Sequence, residues 1–365
     1  MTGQNDDRVV KANLAHQRAM SMTRLLDCGM DNADATRLHV RTSAGEPWDV
    51  VADAIASERL EQADRAEAAG NVVTAGEARQ RGIAALVFAQ MAFNFDERRK
   101  VDLYRKLIAA CRKLASVFDL PFERIETDFA EKTLVGWLVR PVGGKANGTV
   151  ILFGGQSGWG IAYLPIAREL ARRGLATVLA EGPGQGETRI EHGLYLQTDV
   201  EAAFSRWVDF ISDDPDLGIP GIWGNSYGGL WAARTASRDS RIRACCVNGS
   251  FARPGILPFR TAFEQSAAMV GTQDRAGIEA IMESLRFDPE QDRITCPLLV
   301  LHGGADPLVT LDDQQPFLDA ANGEVALHVW PDGEHTIYNH SFERTSLAAD
   351  WFAARLGRRL KGSGK

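Results

Sequence analysis

The hydrophobic pattern of this chain changes period once. Up to about residue 120, apolar positions recur three and four residues apart. Trp48, Val51 and Ile55 share one helical face, as do Ile83, Val87 and Met91, and then Leu103, Leu107, Cys111, Leu114 and Phe118. Breaks fall at Gly45-Glu46-Pro47, Gly70-Asn71 and Asn94-Phe95-Asp96, and Pro121 closes the stretch. This predicts a bundle of four or five helices, with paired lengths that hint at a repeat but no fixed motif period.

From Phe122 onward the signal is that of strands alternating with helices. Strands are predicted over 122–129, 134–140, 149–153, 176–180, 219–223, 244–247, 298–302 and 325–330, with helices over 162–173 and 197–211 between them. Such alternation makes an α/β fold, a mostly parallel, doubly wound sheet of about eight strands. The segment 250–292 is too long for a plain connection and holds helix-like stretches at 261–270 and 275–285. It reads as a helical cap inserted after the sixth strand. The expected organisation is a helical N-terminal lid domain over 1–120 and a catalytic domain over 121–365, with the cap at about 251–292.

The strand Ile219-Pro220-Gly221-Ile222-Trp223 runs into Gly224-Asn225-Ser226-Tyr227-Gly228, and a helix-like stretch follows. G-x-S-x-G between a strand and a helix is a nucleophile elbow, a tight turn that lifts a serine hydroxyl above a sheet. The serine sits in a strained backbone conformation, and side chains two positions either side would clash with the turn. The strand at 298–302 ends in Gly303-Gly304-Ala305-Asp306, and the one at 325–330 is followed by Pro331-Asp332-Gly333-Glu334-His335. The order Ser226, Asp306, His335 is that of an α/β-hydrolase triad. A serine hydroxyl is a weak nucleophile until a histidine takes its proton, and a carboxylate must hold the imidazole in the correct tautomer. Asp332 and Asp312 are also within reach by sequence. Asp306 is the preferred acid because it directly follows its strand.

Two glycine-rich loops should complete the site. Phe153-Gly154-Gly155-Gln156-Ser157-Gly158-Trp159-Gly160 follows the third strand, where this fold draws one backbone N–H of its oxyanion hole. Gln156, with Gly155 beside it, is the expected loop donor, and the N–H of Tyr227 supplies the other. A phosphate-loop reading lacks the Gly-Lys-Ser/Thr ending. Glu181-Gly182-Pro183-Gly184-Gln185-Gly186-Glu187-Thr188 follows the fourth strand. It reads first as a structural turn beneath the elbow, from which Glu181 could brace the site. Glu181, Trp159, Arg253 and Arg260 are the candidates for site support or substrate contact. The two arginines would suit an anionic substrate, although exposed arginines are more often solvated surface.

Composition narrows the class. Apolar residues make up 45% and charged residues 24%, with a net charge of −7. This is a soluble globular balance with no electrostatic footprint for nucleic acid. The polar start Met1-Thr2-Gly3-Gln4-Asn5-Asp6-Asp7 has no signal-peptide h-region, and no run of about 18 apolar residues exists to span a membrane. The five cysteines are scattered, without C-x-x-C spacing, and read as reduced thiols of a cytoplasmic protein. The seven histidines show no H-E-x-x-H. Neither a metal nor a cofactor is expected. Gly362-Ser363-Gly364-Lys365 reads as a disordered tail.

The Glu-Gly-Pro-Gly-Gln-Gly-Glu loop, the G-N-S-Y-G-G elbow, the F-G-G loop and the helical N-terminal stretch together resemble one branch of the α/β-hydrolases. That branch includes 2,6-dihydroxypseudooxynicotine hydrolase, fungal polyketide-shortening hydrolases and the fermentation–respiration switch protein FrsA. The resemblance implies a helical N-terminal domain folded over the site and, frequently, homodimers. It also implies hydrolysis of a carbon–carbon bond next to a ketone, a retro-Claisen cleavage, with the triad roles carried onto Ser226, Asp306 and His335. The sequence departs from relatives in two places. Relatives tend to have Leu and an acid before the serine of the loop that here reads Gly154-Gly155-Gln156-Ser157. They also include one with an acid just after the sixth strand, where 251–263 has none here. The expected function is therefore a serine hydrolase acting on a small carbonyl compound, leaning to a β-diketone-like ketone. Ester or amide hydrolysis is the alternative. A regulatory protein that kept the fold without turnover, or a lyase or cyclase using the same site, are readings of other classes.

Overall fold

In a computed structural model, residues 2–156 and 159–357 are described, so Ser157, Gly158 and the tail Gly362-Ser363-Gly364-Lys365 lie outside the described residues. The chain divides into two compact units, Met1–Phe122 and Glu123–Lys365.

The first unit is helical, with helices at Thr2–Ala19, Met22–Asp27, Asn32–Ser43, Trp48–Ala68, Val72–Gln90 and Arg98–Leu114. That is more than the four or five expected. Met22–Asp27 is under two turns long, too short for its periodicity to register. Trp48 anchors the bundle: it is buried, and its indole N–H donates to the Phe88 carbonyl at 3.0 Å. Arg79 is fully buried and is tolerated there because Asp64 and Glu67 accept from it at 2.9 and 2.8 Å.

The second unit is built on eight strands: β1 (Phe122–Phe129), β2 (Lys132–Val139), β3 (Gly148–Phe153), β4 (Ala176–Glu181), β5 (Ile219–Asn225), β6 (Cys245–Asn248), β7 (Leu298–Gly303) and β8 (Val325–Trp330). They lie in the order β1-β2-β4-β3-β5-β6-β7-β8. β2 runs antiparallel to β4, and from β4 to β8 each neighbouring pair is parallel. β3, β4, β6 and β7 are buried at every residue, as a sheet covered on both faces requires. β8, at the edge, is mostly exposed.

This arrangement is the α/β-hydrolase fold, and it fixes where a site can form. The strand order reverses between β3 and β5, because β4 lies on the far side of β3. Loops leaving the C-terminal ends of β3 and β5 therefore diverge and open a crevice there. Helices Arg260–Val270 and Arg275–Ser284 fill the connection between β6 and β7, where the cap insertion is expected. Helix Ser341–Leu356 backs the sheet, with Phe352 stacked on Trp223 of β5 at a ring separation of 6.0 Å.

Candidate active site

β5 ends at Asn225, and Ser226 follows in a left-handed conformation, φ 57 and ψ −131, before helix Tyr227–Arg238 begins. Few non-glycine residues adopt this region, and they do so where surrounding structure enforces it. The enforcement is the turn itself. A Cβ on Gly224 would lie 2.0 Å from the Gly228 carbonyl oxygen, so only glycine allows strand and helix to approach this closely. Gly224→Ala is expected to destabilise the chain by about 3 kcal/mol, since backbone must move to admit the methyl. Gly255→Ala, whose added Cβ would meet nothing within 4 Å, is the matched control with little expected effect. Urea unfolding midpoints of the two variants check this; equal midpoints would contradict it.

The elbow raises Ser226 to meet residues from β7 and β8. His335 Nε2 lies 3.0 Å from Ser226 Oγ, and its Nδ1 lies 2.8 Å from Asp306 Oδ2. The Asp306 side chain is fully buried, and its other oxygen, Oδ1, accepts from the N–H groups of Leu308 and Val309 at 2.8 and 3.2 Å. The three residues chosen from sequence thus form one hydrogen-bonded chain. Asp332 stands apart: it is exposed, and its Oδ1 lies 2.9 Å from Nε2 of His340. A histidine on β7, His302, is buried and held at Nδ1 by the Gln314 amide at 2.8 Å. Burial lowers its pKa, against the pull of Asp306 and Asp313.

The loop carrying His335 is itself strained. Thr336 and Ile337 follow it at φ 54 and φ 61, a region that a β-branched side chain rarely enters. Two donors clamp the Thr336 carbonyl: Asn248 Nδ2 at 3.2 Å and Arg344 Nη1 at 3.0 Å. Asn248 also donates to Asn225 Oδ1 at 2.8 Å, and Asn225 donates to the Phe153 carbonyl at 3.1 Å. A single buried amide relay therefore links the ends of β3, β5 and β6 to the histidine loop. Sequence reading did not single out Asn248 or Arg344. The one available signal was Asn225, a polar residue at an otherwise buried strand end.

The first glycine loop reaches the elbow, and the second reaches the first through Gln185. Gly155 is pressed against it so closely that a Cβ there would lie 2.5 Å from Tyr227 N. Gln156 ties the loop to the cap: its side-chain amide lies 2.5 Å from Ser266 Oγ and 3.2 Å from the Ala262 carbonyl. Tyr227 packs edge-on against Phe251 with ring centroids 4.5 Å apart, and its hydroxyl donates to the Gly255 carbonyl. Burial pushes its pKa up to about 12. Glu181 is buried and accepts from the Glu187 N–H at 2.6 Å, an internal brace of the second loop. Trp159, near the end of the first loop, is buried.

The two arginines considered for substrate are both exposed. Arg260 is 80% exposed and pairs with Glu264 one turn along its helix at 2.8 Å. Arg253 is exposed. Among the described residues, no group of three or more His, Cys, Asp and Glu side chains is placed to hold a metal ion. Among the same residues no helix is long and apolar enough to cross a membrane.

Known proteins share this architecture. The prolyl oligopeptidase family matches residues 216–359, the part carrying Ser226, Asp306 and His335. The chain is 27% identical to 2,6-dihydropseudooxynicotine hydrolase of Paenarthrobacter nicotinovorans over 305 residues, which is 81% of each chain. It is 31% identical to the alpha/beta hydrolase ucsC of Acremonium sp. over 164 residues, 39% of this chain and 33% of that one. The crystal structure of 2,6-dihydroxy-pseudo-oxynicotine hydrolase superposes with a TM-score of 0.83 at 24% identity, covering 92% of this chain and 95% of that one. With the strand order and the elbow already in view, these likenesses give the chain the α/β-hydrolase fold and make it a homologue of 2,6-dihydroxypseudooxynicotine hydrolase.

Proposed function

We propose that the chain is a serine hydrolase that cleaves a carbon–carbon bond beside a ketone in a small β-diketone-like substrate. The observation that carries this reading is the continuous hydrogen-bonded chain from Asp306 through His335 to a serine in a nucleophile elbow. Ser226 Oγ attacks the ketone carbonyl as His335 Nε2 takes its proton, and Asp306 steadies the imidazolium that forms. The resulting oxyanion is met by backbone N–H groups of Tyr227 and the Gly155-Gln156 segment. The carbon–carbon bond then breaks, leaving an acyl group on Ser226 and an enolate whose carbon takes the proton from His335. Water, deprotonated by the same histidine, releases the acid and restores the serine.

The choice of bond rests on homology over 81% of both chains and on the branch of the fold that the loop sequences resemble. A second reading, ester or amide hydrolysis, is favoured by a separate observation. The stretch after β6 offers no carboxylate between Phe251 and Phe263 and instead lays Phe251 on Tyr227. An ester needs only its leaving oxygen protonated, so it makes less demand on that stretch.

Two measurements test the proposal. A fluorophosphonate probe should label Ser226 in the wild-type protein; a protein that is never labelled is a scaffold or regulator and not a serine hydrolase. Steady-state kinetics should then compare a 1,3-diketone with an ester of matched size. The diketone is expected to be the better substrate. A kcat/KM a hundredfold higher for the ester, about 2.7 kcal/mol of transition-state stabilisation, overturns the carbon–carbon reading.

A further inference from the structure

The loop after β4 has a role beyond shaping a turn. Gln185 is buried, and every polar atom of its amide is used. Nε2 donates to the carbonyls of both Gly154 and Gly155, at 2.7 and 2.8 Å, while Oε1 accepts from the Gly182 N–H at 2.9 Å. The orientation of the amide is forced, because the two carbonyls can only accept and the Gly182 N–H can only donate. The loop that holds Gln185 is rigid on both flanks. Its own N–H donates to the Gly182 carbonyl at 3.0 Å, and Gly184 N–H donates to Leu194 at 2.8 Å. Thr188 Oγ1 donates to the Glu181 carbonyl at 2.8 Å and accepts from Val135 N–H at 2.9 Å, while Arg124 grips Glu187 at 2.8 Å.

We infer that Gln185 is a positioning residue that aims the oxyanion-hole donors of the Gly154-Gly155-Gln156 segment. This rests on the serine-hydrolase reading above. The physical step is the planar trans peptide, in which C=O and N–H point in opposite directions. No cis peptide bond is present among the described residues. Drawing the Gly154 and Gly155 carbonyls onto one side-chain amide therefore turns the N–H groups of Gly155 and Gln156 to the side away from Gln185. Gly155 is at the same time seated on Tyr227 N, the second expected donor. A loop of consecutive glycines has no side chains to hold its peptide planes. Gln185 supplies from a neighbouring loop the direction that the glycines cannot. Donors preorganised toward the place where charge develops are worth about 10² to 10³ in rate.

The test uses the full-length protein, a fluorophosphonate, and a matched pair of reversible ligands, an alkyl trifluoromethyl ketone and its alcohol. The ketone adds to the serine and places an oxyanion in the hole; the alcohol occupies the same space without one. Gln185→Met keeps the volume and removes both donors, and Gln185→Glu keeps the acceptor for Gly182 and removes the donors. Both variants should label at least about 30-fold more slowly and lose a similar factor in ketone affinity. Alcohol affinity should change less than threefold. Ketone and alcohol weakened equally, labelling within threefold of wild type, or two variants that do not fold would each overturn the inference, since a mere packing residue behaves in those ways. A wild-type protein that is not labelled removes the serine-hydrolase reading, and this inference falls with it. Normal wild-type labelling with unaffected Gln185 variants removes this inference alone.

Discussion

Ser226→Ala is expected to lower turnover by about 10⁴-fold or more while leaving the fold intact. The two halves of that expectation have separate physical sources. The change removes one partly exposed oxygen and its hydrogen bond to His335 Nε2 at 3.0 Å, a loss of about 1 kcal/mol in stability at most. The turn does not depend on that oxygen. It is set by the contact between Gly224 and Gly228 and by the Ser226 N–H, which donates to the Asn248 carbonyl at 2.9 Å. Alanine keeps both. What disappears is the oxygen that, in this reading, forms the bond to the substrate carbon. Thermal unfolding within a few degrees of wild type, with product formation near the detection limit, is the expected pair of results. A variant that retains more than a tenth of wild-type kcat would show that some other group attacks.

How much of this could be read from the chain depends on the range of the interaction involved. The elbow was legible because its requirement is local: glycines two places before and after a serine, between an apolar run and a helix. Asp306 and His335 were legible because each follows a strand of nearly uniform apolarity, so that topology places them at one edge of the sheet. Residues that act through a partner distant in sequence left little trace. Gln185 reaches Gly154 and Gly155 about thirty positions away, and Asn248 reaches Thr336 across 88. Neither residue type is unusual where it stands, so no pattern in one sequence marks it. Charge alone was a weaker guide. Arg260, in the cap, suggested an anionic substrate, and its helical spacing from Glu264 also gives it a surface partner. Asp332, three residues from His335, is a similar case. Proximity along the chain made it a candidate acid, and the turn sends it to His340 instead.

That contrast frames the second large effect. Asp306→Asn is expected to cost roughly 10³ to 10⁴-fold in kcat/KM with little loss of stability. Two backbone donors, the N–H groups of Leu308 and Val309, point at Asp306 Oδ1. An asparagine must keep its carbonyl oxygen on that side, because its NH₂ group would face two donors there. The NH₂ group is then turned toward His335 Nδ1, which sits 2.8 Å from the present Oδ2. An imidazole nitrogen facing a donor has to accept, so its proton moves to Nε2. Nε2 is the atom beside Ser226 Oγ, and once protonated it can no longer take the serine proton. The geometry survives and the base is lost. The control is Asp332→Asn, in which an exposed carboxylate paired to His340 is neutralised; less than a twofold change is expected. A near-silent Asp306→Asn together with an inactive Asp332→Asn would reverse the assignment of the acid, whatever the distances suggest.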